Sequence, residues 1–392
     1  MSQLPAYLDN AATTRVDPRV AAYMAQILSS EDEFGNAASS THHYGDVAAA
    51  SIERARQQVA AAVGADTDGV IFTSGATEAN NLAIFGVAHY YQAQGRHIVT
   101  ARTEHKSVLD PCAELERRGW KVTYLIPEQG GVIDPVQLAA ALRPDTVLVS
   151  LMQVNNEIGV VQDVAALAEI CAKHGHAWLH VDAAQAVGKC EMDFRAAGVD
   201  LMSLSAHKAY GPKGVGALLM SKRVHVRPLQ FGGGQERSLR SGTLATHQIL
   251  GMGMAFQLSV EMLAGERRRL GELRDRLWQG LARLGGVLRN GDAQHTVPNL
   301  LNASFEGVEG ESLLAAVSSR IAVSTGSACT SAAREPSYVL RALGRSDQLC
   351  ESSLRFGLGR FTVERDIDVA IEVLSAAVPR LRRIAGYRAD GV

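Results

Sequence analysis

The sequence predicts an α/β protein with a mainly parallel sheet, covered by helices on both faces, and a smaller appended α+β lobe. Three observations carry this. Short β-branched or apolar runs alternate with segments of helical period as far as about Met254, the pattern of strands joined by crossover helices. Beyond Met254 the texture changes to long, charged, amphipathic helices, which marks a second lobe. A length of 392 residues exceeds one ordinary domain and suits a large core with a smaller companion.

The elements follow in chain order. VAAASIERARQQVAAAV (47 to 63) sets Ala, Ile and Val at helical spacing. GVIFTSGATEANNLAIFG then runs apolar strand, glycine-bearing turn, helix, a β-turn-α unit of the kind that faces phosphate. Further strand candidates are HIVT (97 to 100), KVTYL (121 to 125), TVLVSLM (146 to 152), WLHVD (178 to 182), LMSLSA (201 to 206) and GALLM (216 to 220), which with the first make a seven-stranded sheet. SVEMLAGERRRLGELRDRLWQGLARLG reads as one long helix with a single apolar stripe. NLLNASF (299 to 305) reads as a strand, GESLLAAVSSR as a helix and ERDIDVAIEVLSAAVPRLRRIAG as the last helix. The expected division is 15–258 for the large lobe and 1–14 with 259–392 for the small one. RRR (267 to 269) and RLRR (380 to 383) read as solvated helix faces.

Composition narrows the class. At 46% hydrophobic and 20% charged the chain is well away from disorder. With 39 basic and 41 acidic residues the formal charge is −2, so no global field draws it to nucleic acid or an anionic membrane. MSQLPAYLDNAATT lacks a basic stretch followed by an apolar run, and no segment offers about eighteen uninterrupted apolar residues. A soluble, cytoplasmic protein without direct nucleic-acid or membrane contact is expected. The five cysteines (Cys112, Cys171, Cys190, Cys329, Cys350) are odd in number and lack the short spacings of zinc or thioredoxin-like sites, so they read as reduced thiols.

Three segments carry chemistry. In SLSAHKAYGPKGVGALLM, Lys208 follows an apolar strand and precedes a Gly-Pro turn. Alone it reads as a surface lysine; as a Schiff-base nucleophile it must lose its proton, which desolvation or a nearby cation promotes. In WLHVDAAQAVG, Asp182 closes a buried strand, where its carboxylate needs a cation such as a protonated pyridine nitrogen, or else serves as a helix N-cap or turn. In TSGATEANN (73 to 81), small residues let the backbone approach an anion before a helix begins, with Thr77, Ser205 and His207 adding side-chain donors; a plain N-cap also accounts for Thr77.

Together these segments resemble the class V branch of fold-type I pyridoxal-phosphate enzymes, and within it the cysteine desulfurases. The resemblance runs from YLDNAATT (7 to 14) through FGNAASSTHHYG, FTSGATEANNLAI, RTEHKSVLD, VNNEIGVVQD, HVDAAQAVGK and SAHKAYGPKGVGAL to GGGQERSLRSGT, STGSACTSAAREPSYVLRALG and SSLRFGLGRFT. It implies that Lys208 carries the cofactor, Asp182 pairs with its pyridinium, Gln185 bonds its phenolic oxygen, and His105 stacks on the ring and moves protons. Asn156 is implied to help hold the cofactor oxygen and the substrate, and Ala76, Thr77, Ser205 and His207 to cradle the phosphate. Thr243 matches a phosphate contact donated by the neighbouring subunit, which implies a homodimer. Arg355 matches the receiver of the substrate carboxylate.

Cys329 lies in STGSACTSAAREP, a Gly-, Ser- and Ala-rich segment suited to an exposed loop and a poor one for a packed core. The resemblance makes it the residue that takes sulfur from L-cysteine as a persulfide, leaving alanine. The long STGSACTS form implies delivery to an acceptor protein, such as an iron–sulfur scaffold or a tRNA-thiolation protein, and allows Cys329 to share in ligating a nascent iron–sulfur cluster. Ala37 in place of Pro, Thr325 in place of Ser and the ending RIAGYRADGV depart from the family pattern. The competing expectations are a selenocysteine lyase or another class V enzyme, and a non-catalytic sulfur-relay protein that retains the fold.

Overall fold

The computed structural model describes residues 4–325 and 335–387. Its strands, in chain order, are β1 (Ala6–Tyr7), β2 (Val70–Thr73), β3 (His97–Ala101), β4 (Lys121–Leu125), β5 (Thr146–Met152), β6 (Trp178–Asp182), β7 (Leu201–Ser205), β8 (Gly216–Met220), β9 (Val287–Asn290), β10 (Leu300–Phe305), β11 (Ile321–Ala322) and β12 (Ser353–Gly357). The large sheet has seven strands in the order β2-β8-β7-β6-β5-β3-β4. All neighbouring pairs are parallel except those of β8, which runs against both β2 and β7. The reason is the connection: β7 reaches β8 through the tight segment AHKAYGPKGV, which is too short to hold a crossover helix.

Strand alternation sends side chains into two cores, one on each face. Phe72 and Leu219 join one cluster with Val59, Leu250 and Phe256, beneath the helices His43–Ala62 and Thr246–Glu261. Ile71 and Leu218 join the other with Leu82, Val108 and Leu115, beneath the helices Ala76–Tyr91 and Lys106–Arg117. β5 is buried along its whole length, as a central strand covered on both faces must be.

A third core gathers Leu8, Leu273, Leu277, Phe305, Phe356 and Leu374. Around it lie the antiparallel sheet β12-β10-β9, the parallel pair β1-β11, and the helices Leu263–Ala282 and Glu364–Ile384. The first strand therefore packs with the C-terminal half of the chain. The segment that follows it bridges to the large sheet, with Asn10 N donating to Gly357 O at 2.9 Å and Thr14 N to His207 O at 2.9 Å.

Two sequence expectations are corrected here. The long helix starting at Ser259 is two helices, Thr246–Glu261 and Leu263–Ala282, which meet at Met262. The first buries Leu250 and Phe256 in the large core and the second buries Leu270 and Leu277 in the small one, so a continuous apolar stripe in sequence serves two different cores. The arginine runs are also more than solvated faces. Arg269 donates to the carbonyls of Thr362, Gly359 and Arg360, and Arg382 to those of Glu306, Leu284, Gly285 and Gly286, so both fasten loops by their backbone.

A buried ion cluster joins the lobes. Arg360 bonds Asp17 at 2.7 Å and Glu266 at 2.5 Å and lies 4.0 Å over the Tyr210 ring. No helix among the described residues is long and apolar enough to cross a membrane.

Candidate active site

A cavity of about 550 Å³ opens at the C-terminal ends of β2, β5, β6 and β7, where a parallel sheet presents its loops. Of the residues singled out from sequence, Ala76, Thr77, His105, Asn156, Asp182, Gln185, Ser205, His207, Lys208 and Arg355 all line it. Thr243 is exposed and lies outside its wall. Cys329 falls outside the described residues.

The end of β2 is built for close approach. Gly75 caps the helix Ala76–Tyr91 with φ of 153°, a backbone setting that L side chains rarely adopt. A Cβ on Gly216 of β8 would sit 2.7 Å from the Gly75 backbone, so two main chains touch there. The first N–H groups of the helix have no intrahelical acceptor and carry the positive end of its dipole, which suits an anion.

Lys208 ends a short 3-10 turn (Ala206–Lys208) that directly follows β7. The N-terminal segment clamps this turn: Thr14 Oγ1 donates to His207 O at 3.0 Å and accepts from Tyr210 N at 2.9 Å. Tyr210 adopts φ of 62°, a strained value for an aromatic residue, and is held there by these bonds and by Arg360. His207 pairs through Nδ1 with Thr13 Oγ1 at 3.1 Å, and burial, then Lys208, Lys213 and Lys189, push its pKa down to about 4. It is neutral in the physiological range.

Asp182, at the end of β6, is 5% exposed. Its Oδ2 accepts from Asn80 Nδ2 at 2.8 Å and its Oδ1 from Ala184 N at 3.0 Å. The latter is the local turn that the sequence left open, yet it does not neutralise the charge. Asp182 makes no ion pair among the described residues. A buried carboxylate in that state is costly, and a cation bound in the cavity would relieve it.

The same network orients His105. Asn80 Nδ2 also contacts Ser107 Oγ at 2.8 Å, and Ser107 Oγ contacts His105 Nδ1 at 2.8 Å. Ser107 N donates to that Nδ1 at 3.1 Å, so the neutral ring carries its proton on Nε2. Burial, followed by the Lys208 cation, holds the His105 pKa below the ordinary histidine value. Asn80 and Ser107 were missed from sequence. The available signal was a polar residue on the buried stripe of the helix Ala76–Tyr91, where Asn80 is fully buried.

Arg355 enters from β12, on the small lobe. Its Nη1 donates to Asn156 O at 2.9 Å and its Nη2 to Asp9 Oδ1 at 2.9 Å, while its Nε is buried without a partner among the described residues. Asn156 Oδ1 is likewise buried and has no partner among the described residues. Orphaned polar atoms in a cavity wall mark where a polar ligand belongs. Gln185 donates from Nε2 to Ala11 O at 2.7 Å and accepts on Oε1 from Lys189 Nζ. No group of side chains among the described residues is arranged to hold a metal ion.

Residues 6–369 match the aminotransferase class-V family. Cysteine desulfurase IscS of Proteus mirabilis is 55% identical over 385 residues, which cover 98% of this chain and 95% of that protein. The chain belongs to the cysteine desulfurases of the class-V family. Among solved structures, the desulfurase is similar to a NifS-like protein at a TM-score of 0.90 and 35% identity, covering 97% of this chain and all of that one. It is also similar to SspA, solved in complex with cysteine, at a TM-score of 0.80 and 35% identity over 91% of this chain and 99% of that one. The fold is that of fold-type I enzymes, and the mainly parallel seven-stranded sheet agrees with it.

Proposed function

We propose that this desulfurase uses pyridoxal 5′-phosphate to take sulfur from L-cysteine, holds it as a persulfide on Cys329 and passes it to an acceptor protein, with alanine as the co-product. The observation that carries the cofactor reading is Asp182: a buried carboxylate with no ion-pair partner among the described residues, at one side of a cavity whose other side offers a helix N-terminus. A ligand with a cationic ring nitrogen and a phosphate matches both ends. The similarity to SspA, a protein solved with cysteine bound, supports the substrate.

When bound, pyridoxal phosphate supplies an electron sink for charge that develops at the substrate's α-carbon. Asp182 holds the proton on the ring nitrogen. Lys208 would anchor the cofactor through its amine and would serve as the base for the substrate's α-proton. The first helical N–H groups, Thr77, Ser205 and His207 hold the phosphate. Arg355 Nε and Asn156 Oδ1, each without a partner among the described residues, receive the substrate carboxylate and amine. His105, which lines the cavity with its proton on Nε2, would meet the ring and exchange a proton with the ligand.

Cys329 as thiolate then attacks the substrate sulfur. The new S–S bond forms as the C–S bond breaks, and the electron pair of that bond returns to carbon, which gains a proton on the way to alanine. The other four thiols are poorly placed for this. Burial pushes Cys112 and Cys171 up to about 12, and Cys190 and Cys350 up to about 11.

In this reading Thr243 completes the phosphate site of a neighbouring copy, and the lobes are 15–258 and 1–14 with 259–392. Purified protein mixed with pyridoxal phosphate is expected to gain visible absorbance, release alanine and sulfane sulfur in equal amounts from L-cysteine, and scatter light as a species of twice the 41.8 kDa chain. Protein left colourless once unbound ligand is dialysed away would remove the cofactor, and a fully active monomer would remove the shared site. Iron–sulfur assembly, tRNA thiolation and a cytoplasmic setting are the proposed context of the acceptor. A share for Cys329 in ligating a nascent cluster belongs to the same proposal, and labelled sulfur traced from cysteine to a co-purified protein tests it.

Arg355→Lys keeps the charge and loses the planar fork. KM for L-cysteine is expected to rise about 10- to 100-fold, more than kcat falls, with the visible band unchanged. An unaltered KM in steady-state assays would place the carboxylate elsewhere.

A further inference from the structure

Lys189 is an unusual residue for its position. It is 8% exposed, and among the described residues it forms no ion pair and its amine has one polar partner, the amide oxygen of Gln185. An ammonium buried on a neutral carbonyl is expensive, so its presence asks for a role. The surroundings oppose its charge: burial first, then Lys208 and Arg355, pull the amine's pKa down to about 7.

The partner gives the role. A carboxamide can sit in two orientations of nearly equal shape, which exchange its acceptor oxygen for its donor nitrogen. For Gln185 both ends are specified. The Ala11 carbonyl only accepts and takes one hydrogen of Nε2 at 2.7 Å, and the Lys189 amine donates to Oε1. An amide nitrogen has a second hydrogen, and on Gln185, which lines the cavity, no described residue accepts it. In the reversed orientation Oε1 would face the Ala11 carbonyl, lone pair against lone pair, and would present an acceptor to the ligand.

We propose that Lys189 is a positioning residue: its buried amine locks the Gln185 carboxamide in the orientation that offers an N–H, and not an oxygen, to the ring oxygen of the cofactor. The proposal rests on the pyridoxal-phosphate reading above. Its consequence is electronic as well as geometric. A donor backed by an amine on its own carbonyl is a stronger donor, and it favours the state of the chromophore with more negative charge on the ring oxygen.

The test uses the holoenzyme and four proteins: wild type, Lys189→Met, Gln185→Ala and the double variant. Methionine nearly matches the lysine stem in length and removes only the amine. In Lys189→Met the pH midpoint of the visible band is expected to rise by about one unit, and pyridoxal phosphate to dissociate about tenfold more readily in equilibrium dialysis. In the Gln185→Ala background the same substitution is expected to move neither value, because the amine acts through the amide.

An unchanged midpoint in Lys189→Met, or an equal shift with and without Gln185, overturns the proposal. If Lys189→Met does not fold, Lys189→Leu carries the same expectation. A wild-type protein with no visible band overturns the cofactor reading and this proposal with it, a result distinct from a wild-type band that the substitutions leave in place.

Discussion

Cys329→Ala is expected to keep the visible absorbance of the bound cofactor while sulfide release from L-cysteine falls roughly 10⁴-fold or more, the usual scale for losing a covalent nucleophile. The cofactor half of the prediction follows from geometry. Every residue proposed to hold the cofactor within this cavity, from Ala76 to Lys208, stands at or just beyond the strand ends of the large sheet. The chemical half follows from the thiol inventory. A thiolate must attack sulfur, and the four other cysteines are held in their neutral form by burial. Cys329→Ser is a useful companion, since a hydroxyl preserves size and polarity and cannot form a persulfide. Methylene blue detection of sulfide, with alanine measured in parallel, reads the result; turnover equal to wild type would reassign the nucleophile.

Asp182→Asn is expected to retain the fold and to slow α-proton removal about 10²- to 10³-fold, the range for deleting one preorganised electrostatic group. Asparagine keeps the size of the side chain and can still accept through Oδ1 from Ala184 N or Asn80. What it loses is the charge proposed to hold a proton on the ring nitrogen. Exchange of the α-hydrogen of L-cysteine or L-alanine with solvent deuterium, followed by mass spectrometry, isolates this step from sulfur transfer. Apo Asp182→Asn is expected to melt at a temperature no lower than the wild type, because an uncompensated buried charge has been removed. Wild-type exchange rates would show that the ring nitrogen is served by another group.

How far the sequence could be read depended on the range of the physics involved. Strands and their order along the chain are local, and HIVT, KVTYL, TVLVSLM, WLHVD and GALLM fall within or on β3, β4, β5, β6 and β8. Direction is not local: GALLM looks the same either way, and only the brevity of AHKAYGPKGV betrays that β8 turns back. The break at Met262 was hidden because hydrophobic period reports that a face is buried without naming its core. Arg269 and Arg382 looked solvated because their acceptors are carbonyls of distant loops.

The site shows the same divide. Lys208 and Asp182 stand at strand ends, where sequence pattern alone raised them. Thr243 and Cys329 drew on family likeness; the first lies outside this cavity and the second outside the described residues. Asn80, Ser107 and Lys189 act by supporting other side chains, and such residues carry no motif of their own.

The route by which Arg355 reaches the cavity has an evolutionary side. It comes from β12, meets Asp9 beside β1, and shares no strand with Lys208 or Asp182. In the proposed reading, grip on the cofactor and choice of amino acid are thus inscribed in different lobes. Drift in the small lobe could retune which amino acid is admitted while the older chemical machinery stays untouched, which is how one scaffold can come to serve several neighbouring reactions.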